Sequence, residues 1–514
     1  MSRPGFPCQA SPLSRELTHS PPIRRARPTR ALLPLLLLTI LAGCAVGPDY
    51  HRPDAPAVDR YTAQPLPAST ASVAGAEQRF VAGAELPARW WTAFGSAELD
   101  RRVETALAHS PSLASAQAAL RQARENARAA GAVSFPAVDA NAGVTRQKQS
   151  GAAFGDTFTF APLTVYNAGV SVSYGIDLFG GTRRGIEAQA ALADVQQALA
   201  DATWLTLAAN VVTASLQEAS LREQLRATDE IAASQRDSVR IAEQQQQIGT
   251  RSLADTLAAR SELAATEATL PPLRARLAAT RNQLATYLGT TPAQLEMTPL
   301  QLDAITLPHD IPVSLPSRLV AQRPDIRAAS AQLHAATAQV GVATAAMLPQ
   351  ISLSGSAGSQ TVHAGELFSA GSRAWSLGLG LTQPLFHGGE LRHRKRAAEA
   401  GLDKALADWQ QAVLVAFQNV ADALQALEYD AQGLAAQTAA EDAAAQRLAL
   451  TRNQYGVGAT GYLDLLQAQR DQQRARIALI QARTARLADT AALYAALGGR
   501  WEQDGDDTAN RQEP

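Results

Sequence analysis

The residues able to carry chemistry are few and scattered. The eight histidines form no ligand pattern, and His387 with His393 lacks the spacing of a metal site. The glycine pairs Gly180-Gly181 and Gly388-Gly389 follow strand-like stretches, but they lack the lysine and the spacing of a phosphate loop. Arg392-His393-Arg394-Lys395-Arg396 is a basic run. It fits contact with acidic lipid or lipopolysaccharide, and equally a solvated helix start. Near the C-terminus, Asp464 and Gln467 lie one helical turn apart and can share a face, with Arg470 following. Asp464 and Arg470 fit the capping and solvation of a helix start. None of this is catalytic machinery, and no metal, cofactor or enzyme is expected. The balance of 46 basic and 47 acidic residues leaves no basic footprint for nucleic acid.

One residue does promise covalent chemistry. Arg24, Arg25, Arg27 and Arg30 precede the apolar run Ala31 to Leu41, which is too short to span a bilayer as a helix and is followed by small residues. Residues 1–43 are therefore read as an export signal. Leu41-Ala42-Gly43-Cys44 resembles the lipobox of bacterial lipoproteins, in which Cys44 is diacylated and becomes the first mature residue, firmly anchored by its paired chains. Ala45 follows, rather than the aspartate linked with inner-membrane retention, which favours the outer membrane. The long leader before the arginines leaves a start downstream of Met1 open. Removing the signal's six arginines and Glu16 takes away a net +5, so the charge of −1 becomes −6. Cys8 leaves with it, so the mature chain holds one cysteine and no internal disulfide. Residues 44–85, with Pro48, Pro53, Pro56, Pro65 and Pro67, read as lipid anchor and extended tether. Trp90-Trp91 and Phe94 open the folded part.

The elements behind these residues are of two kinds. From Tyr166 to Ile176 apolar residues alternate with Asn167, Gly169, Ser171, Ser173 and Gly175, the mark of a strand with one greasy and one small polar face. About ten such residues, tilted, cross a bilayer, with the apolar side to lipid and the polar side to a lumen. The pattern recurs, giving strands near 137–147, 165–178, 350–360 and 374–386. Four strands cannot close a barrel whose smallest single-chain form needs about eight. An open edge in lipid leaves backbone groups unpaired. Strands of this kind in a membrane therefore require several copies of the chain.

The rest is helical. Residues 183–247 contain no proline. Residues 251–288 return, with a break expected at Pro271-Pro272. Residues 391–455 go out again and 462–497 return. These lengths exceed a globular helix and point to coiled packing of alanine-rich faces, as a tube or as a solid rod. The chain reads twice at an offset near 210 residues, in a first repeat over 86–300 and a second over 301–500. Phe135-Pro136 is echoed by Leu348-Pro349, and Leu288-Gly289 by Leu497-Gly498. Residues 501–514 read as a disordered tail. The strands fall at one end of the helices and the turns Gly249-Thr250 and Gly456 to Gly461 at the other.

Several of these stretches together resemble the TolC-type outer membrane factors, in their lipoprotein drug-efflux subgroup. The resemblance covers nearly all of the mature chain. It is carried by Cys44 to Tyr50 with Arg52-Pro53, by Leu270-Pro271-Pro272-Leu273-Arg274, by Tyr287-Leu288-Gly289 and by Leu315-Pro316-Ser317. Arg323-Pro324-Asp325-Ile326, Tyr455-Gly456 and Leu465 to Arg470 complete it. It implies an α+β membrane protein: a homotrimer whose pooled strands form a twelve-stranded outer-membrane barrel, continued by a helical periplasmic tunnel. It implies passive conduction of drugs or other small molecules for a periplasmic adaptor and an inner-membrane pump, proton-driven in this subgroup. The adaptor would meet the tips at Gly249, Thr250, Gly456, Gly458 and Gly461. The family's periplasmic gate maps to Leu463 and Arg470. Its aspartate position is occupied by Gln467, and Asp464 is the alternative source of a carboxylate. A protein-secretion conduit and a non-conducting lipoprotein scaffold remain open as other readings.

Overall fold

The computed structural model describes residues 45–72, 77–84, 86–148 and 161–498. The signal segment, Cys44 and the tail from 501 lie outside the described residues. Among the described residues the helices are α1 (Ala97–His109), α2 (Pro111–Ala132), α3 (Gly181–Gln247), α4 (Leu253–Glu267), α5 (Leu270–Tyr287), α6 (Pro316–Gln322), α7 (Pro324–Ala345), α8 (Glu390–Gly456) and α9 (Tyr462–Leu497). The strands are β1 (Arg79–Ala82), β2 (Ala137–Gln147), β3 (Leu163–Ile176), β4 (Asp310–Val313), β5 (Gln350–Thr361) and β6 (Arg373–Thr382).

Helices α3 and α8 each run 67 residues, about 100 Å at 1.5 Å per residue. Each starts on a glycine in the left-handed region, Gly180 at φ 78° and Gly389 at φ 88°, a backbone conformation that side chains rarely adopt. The returning arm of the first hairpin is split. Helix α4 stops at Glu267 and α5 restarts at Leu270 with prolines in its first turn. Prolines 271 and 272 have no N–H to give to the preceding turn, so the hydrogen-bond ladder must break there.

The long strands do not stay in two pairs. They form one antiparallel sheet in the order β2-β3-β5-β6. The β3–β5 seam joins the halves of the chain and sets Val170 opposite Ala357 and Tyr174 opposite Leu353. At this seam Gly169 faces Gly358, and a Cβ on Gly358 would lie 2.4 Å from the carbonyl oxygen of Ala168. Strands β2 and β6 each keep one open edge. Alternate side chains stand uncovered, with Trp375 at 81% and Leu377 at 73% exposure.

The main core lies away from the sheet, around the middle of α3 and α8. There Trp90, Trp91, Phe94 and Tyr494 are all buried. Their rings meet edge to face, Trp90 and Tyr494 at 5.8 Å between centroids, an arrangement favoured by the ring quadrupoles. A small parallel sheet that sequence reasoning did not anticipate, β1 with β4, closes over this core.

The stretch expected as a tether is laid along the body. The Val46 N–H donates to the Phe179 carbonyl at 3.0 Å. Asp49 is ion-paired with the buried Arg184, whose guanidinium holds the Asp49 carboxyl below the usual carboxylate range. Tyr50 stacks on His334 at 4.4 Å and 17°. Its hydroxyl is 2.7 Å from Ser330 Oγ. Arg52 donates to the Val320 carbonyl and Tyr61 to that of Ser314. Gly47 (φ 98°) passes so close to Gly341 that a Cβ would sit 2.5 Å from the Gly341 Cα. Proline spacing predicts extension, which this segment has, but not the polar side chains that dock it.

A candidate gate at the helical tips

The two hairpin tips converge. The first turn follows α3: Gly249 takes φ 76°, and Thr250 returns both its N–H and its hydroxyl to the Gln245 carbonyl. The second follows α8, whose final residue is Gly456. Gly458 takes φ 75° and Gly461 is the N-cap of α9. Each turn thus closes a helix end with glycine where the backbone requires it.

Arg251, just past the first turn, reaches across to the second hairpin. Its guanidinium lies 4.0 Å from the centre of the Tyr462 ring and donates to the Tyr455 hydroxyl. The two tyrosine rings are 5.7 Å apart. A cation over an aromatic face is attracted by the ring quadrupole, by about 0.5–2 kcal/mol depending on desolvation. Beneath this clasp sits a small apolar cluster of Ala242, Ala259, Tyr462, Leu465 and Leu466. Burial raises the Tyr462 hydroxyl above the ordinary tyrosine range, so it stays neutral at physiological pH.

Sequence reasoning named Leu463, Asp464, Gln467 and Arg470 as gate candidates. The structure sets Leu463, Gln467 and Arg470 on one exposed stripe of α9, at the i, i+4, i+7 spacing that lines up side chains. Leu463 is 69% exposed. Asp464 is engaged by its own helix. Its Oδ2 accepts from Thr460 Oγ1 at 2.7 Å and from the Gly461 N–H at 3.3 Å, so it caps the start of α9. Arg470 is held by Glu262 of α4, a buried carboxylate that meets both Nε and Nη2. The hydrogen bond to Glu262 raises the Arg470 pKa further. The stripe therefore presents an apolar residue, an amide and a neutralised arginine, with no free carboxylate. Sequence reasoning did not single out Arg251, Tyr462 and Glu262, whose contacts join the two tips. The one available signal was a tyrosine on each side of the second glycine turn, at 455 and 462.

Residues 103–290 and 315–499 match the model of the family "Outer membrane efflux protein". The chain is 32% identical over 450 residues to the pyoverdine export outer membrane protein OpmQ of Pseudomonas aeruginosa, covering 86% of this chain and 94% of that protein. It is 32% identical over 489 residues to the probable efflux pump outer membrane protein TtgC of Pseudomonas putida, covering 94% and 98%. The solved structure of the outer-membrane channel OprN superposes with a TM-score of 0.80 at 32% identity, covering 89% of this chain and all of that one. A four-stranded sheet joined to two 67-residue helices and a match spanning both halves of the sequence lead to the same place: the chain belongs to the outer membrane efflux protein family and is an outer-membrane efflux channel.

Proposed function

We propose that three copies of the chain pool their sheets into one twelve-stranded barrel, above a helical tunnel that conducts drugs or other small molecules out of the cell. The single observation that carries this reading is the four-stranded sheet with two open edges and an uncovered apolar face. In lipid those edges need partners, and β6 of one copy can take β2 of the next.

The helices support the same closure. The two repeats place α2 before the first strand pair and α7 before the second. Helix α7 packs against both α3 and α8, whereas α2 packs against α3. The face of α8 that corresponds to the α7-covered face of α3 is left open, with Leu406 and Leu414 exposed. Helix α2 of a neighbouring copy, bearing exposed Val133 and Phe135 at its strand end, is the matching cover. The chain thus repeats around one axis until it meets itself.

In this reading the tips point into the periplasm and the clasp of Arg251, Tyr455 and Tyr462, with the Arg470–Glu262 pair, holds the tunnel narrow. A periplasmic adaptor engages the glycine turns and a proton-driven inner-membrane pump supplies the cargo. Leu463 and Gln467 of the three copies line the narrowest ring, so exclusion there is steric and amide-lined. Acylation of Cys44 supplies a lipid anchor two residues before Val46, whose N–H is held by the Phe179 carbonyl. The mass of the purified protein in detergent tests the assembly. Three chains per particle are expected, and a monomer that is freely water-soluble without its acyl groups contradicts the proposal.

A further inference from the structure

Between the α4–α5 break and α9 lies a crevice of about 660 Å³, within the size range of small-molecule sites. Its buried lining is polar, Gln224, Thr228 and Thr266, and half-buried Leu273 of α5 and Ile477 of α9 add an apolar patch to its wall. Three arginines line it. Arg470 is engaged by Glu262, the one acidic residue in the wall. Arg276 of α5 and Arg474 of α9 line it from two helices, both exposed, and among the described residues neither has an acidic partner. Neighbouring arginines do: Arg274 pairs with Asp229 and Arg476 with Glu230. Arg474 also continues the exposed stripe of Leu463, Gln467 and Arg470 by one further turn.

Two uncompensated guanidinium groups beside an apolar patch suit one kind of ligand. We propose that this crevice binds a small organic anion, its carboxylate or sulfonate bracketed by Arg276 and Arg474 and its apolar body against Leu273 and Ile477. Guanidinium groups take such oxyanions through paired charge-assisted hydrogen bonds, and removal of the water between them strengthens the contact. The inference rests on the channel reading for one point, that the α9 stripe faces the tunnel. Given that, the site lies on the transport path and gives anionic cargo a resting place just inside the tip.

The probe is naphthalene-1-sulfonate, titrated calorimetrically into the full-length protein in detergent. Saturable binding is expected, weakened at least tenfold in the Arg276→Gln/Arg474→Gln double variant. The neutral analogue 1-naphthol is expected to bind weakly and equally to both proteins. Arg260→Gln, which breaks an exposed pair with Glu243, is expected to leave binding unchanged. No saturable binding, or binding indifferent to the double variant, overturns the proposal. In planar bilayers the sulfonate should reduce the wild-type current and leave that of the double variant intact. A protein that binds the sulfonate as expected but carries no current contradicts the channel reading and not the site.

Discussion

The two ends of α9 are held by different physics. At its C-terminal end Ile480, Leu487, Leu493, Tyr494 and Leu497 join Trp90, Trp91, Phe94 and Trp204 in one large core. Burial there is deep enough to push the Tyr494 hydroxyl up to about 12. At its N-terminal end the buried cluster shrinks to five residues. Its contacts there are partly exposed ion pairs: Arg470–Glu262, Arg476–Glu230 and Asp471–Arg447. Full burial of one large apolar side chain stabilises by about 1.5–3 kcal/mol, whereas an exposed ion pair contributes about 0.2–1 kcal/mol and can exchange partners. The same helix is thus firmly anchored at one end and lightly held at the other, the end where the proposed gate lies.

Changes at the two ends should separate along that line. The largest effect belongs to the anchored end. Trp90→Ala empties a fully buried site and is expected to cost about 3–5 kcal/mol, read as loss of assembled protein in detergent and a lower thermal midpoint. At the tip, Glu262→Gln leaves Arg470 without its charge partner. A loss of about 0.2–1 kcal/mol is expected there, read as faster tryptic cleavage around Arg470 with the thermal midpoint nearly unchanged. Equal damage from the two variants would erase the distinction.

A smaller, pH-dependent effect refines it. Asp489 faces Asp430 across the α8–α9 seam, beside Arg486. Burial first, and the hydrogen bond and charge of Asp430 second, raise its carboxyl from 3.8 to about 7. The folded state therefore holds this proton more tightly than the unfolded chain does. The associated stability is complete below about pH 4 and fades as the pH climbs through about 7. Asp489→Asn should flatten that slope and raise the thermal midpoint at pH 8, on the order of 1 °C given the partial exposure of the site. An unaltered pH profile would mean that the two carboxyl groups do not share a proton.

Much of the architecture is legible in the chain because it is periodic. Alternation marks the strands, the absence of proline between 183 and 247 marks the long helix, and Pro271-Pro272 marks its partner's break. What stays hidden joins distant segments through single side chains. Arg251 meets Tyr455 across 204 positions, and Asp49 meets Arg184 across 135. No local period encodes either contact. The β3–β5 seam is hidden for the same reason, since each strand pair satisfies its own pattern without declaring its neighbour. Asp464 is a subtler case. An acid three residues after a glycine turn suits both a helix cap and a pore ring, and only its contacts with Thr460 and Gly461 place it on the cap.

The most direct test of a lightly held tip on a rigid tunnel is single-channel recording in planar bilayers, comparing the wild type with Arg251→Ala. The account predicts rare openings in the wild type and frequent openings in the variant. Silence in both, or equal open probability in the two, would contradict it.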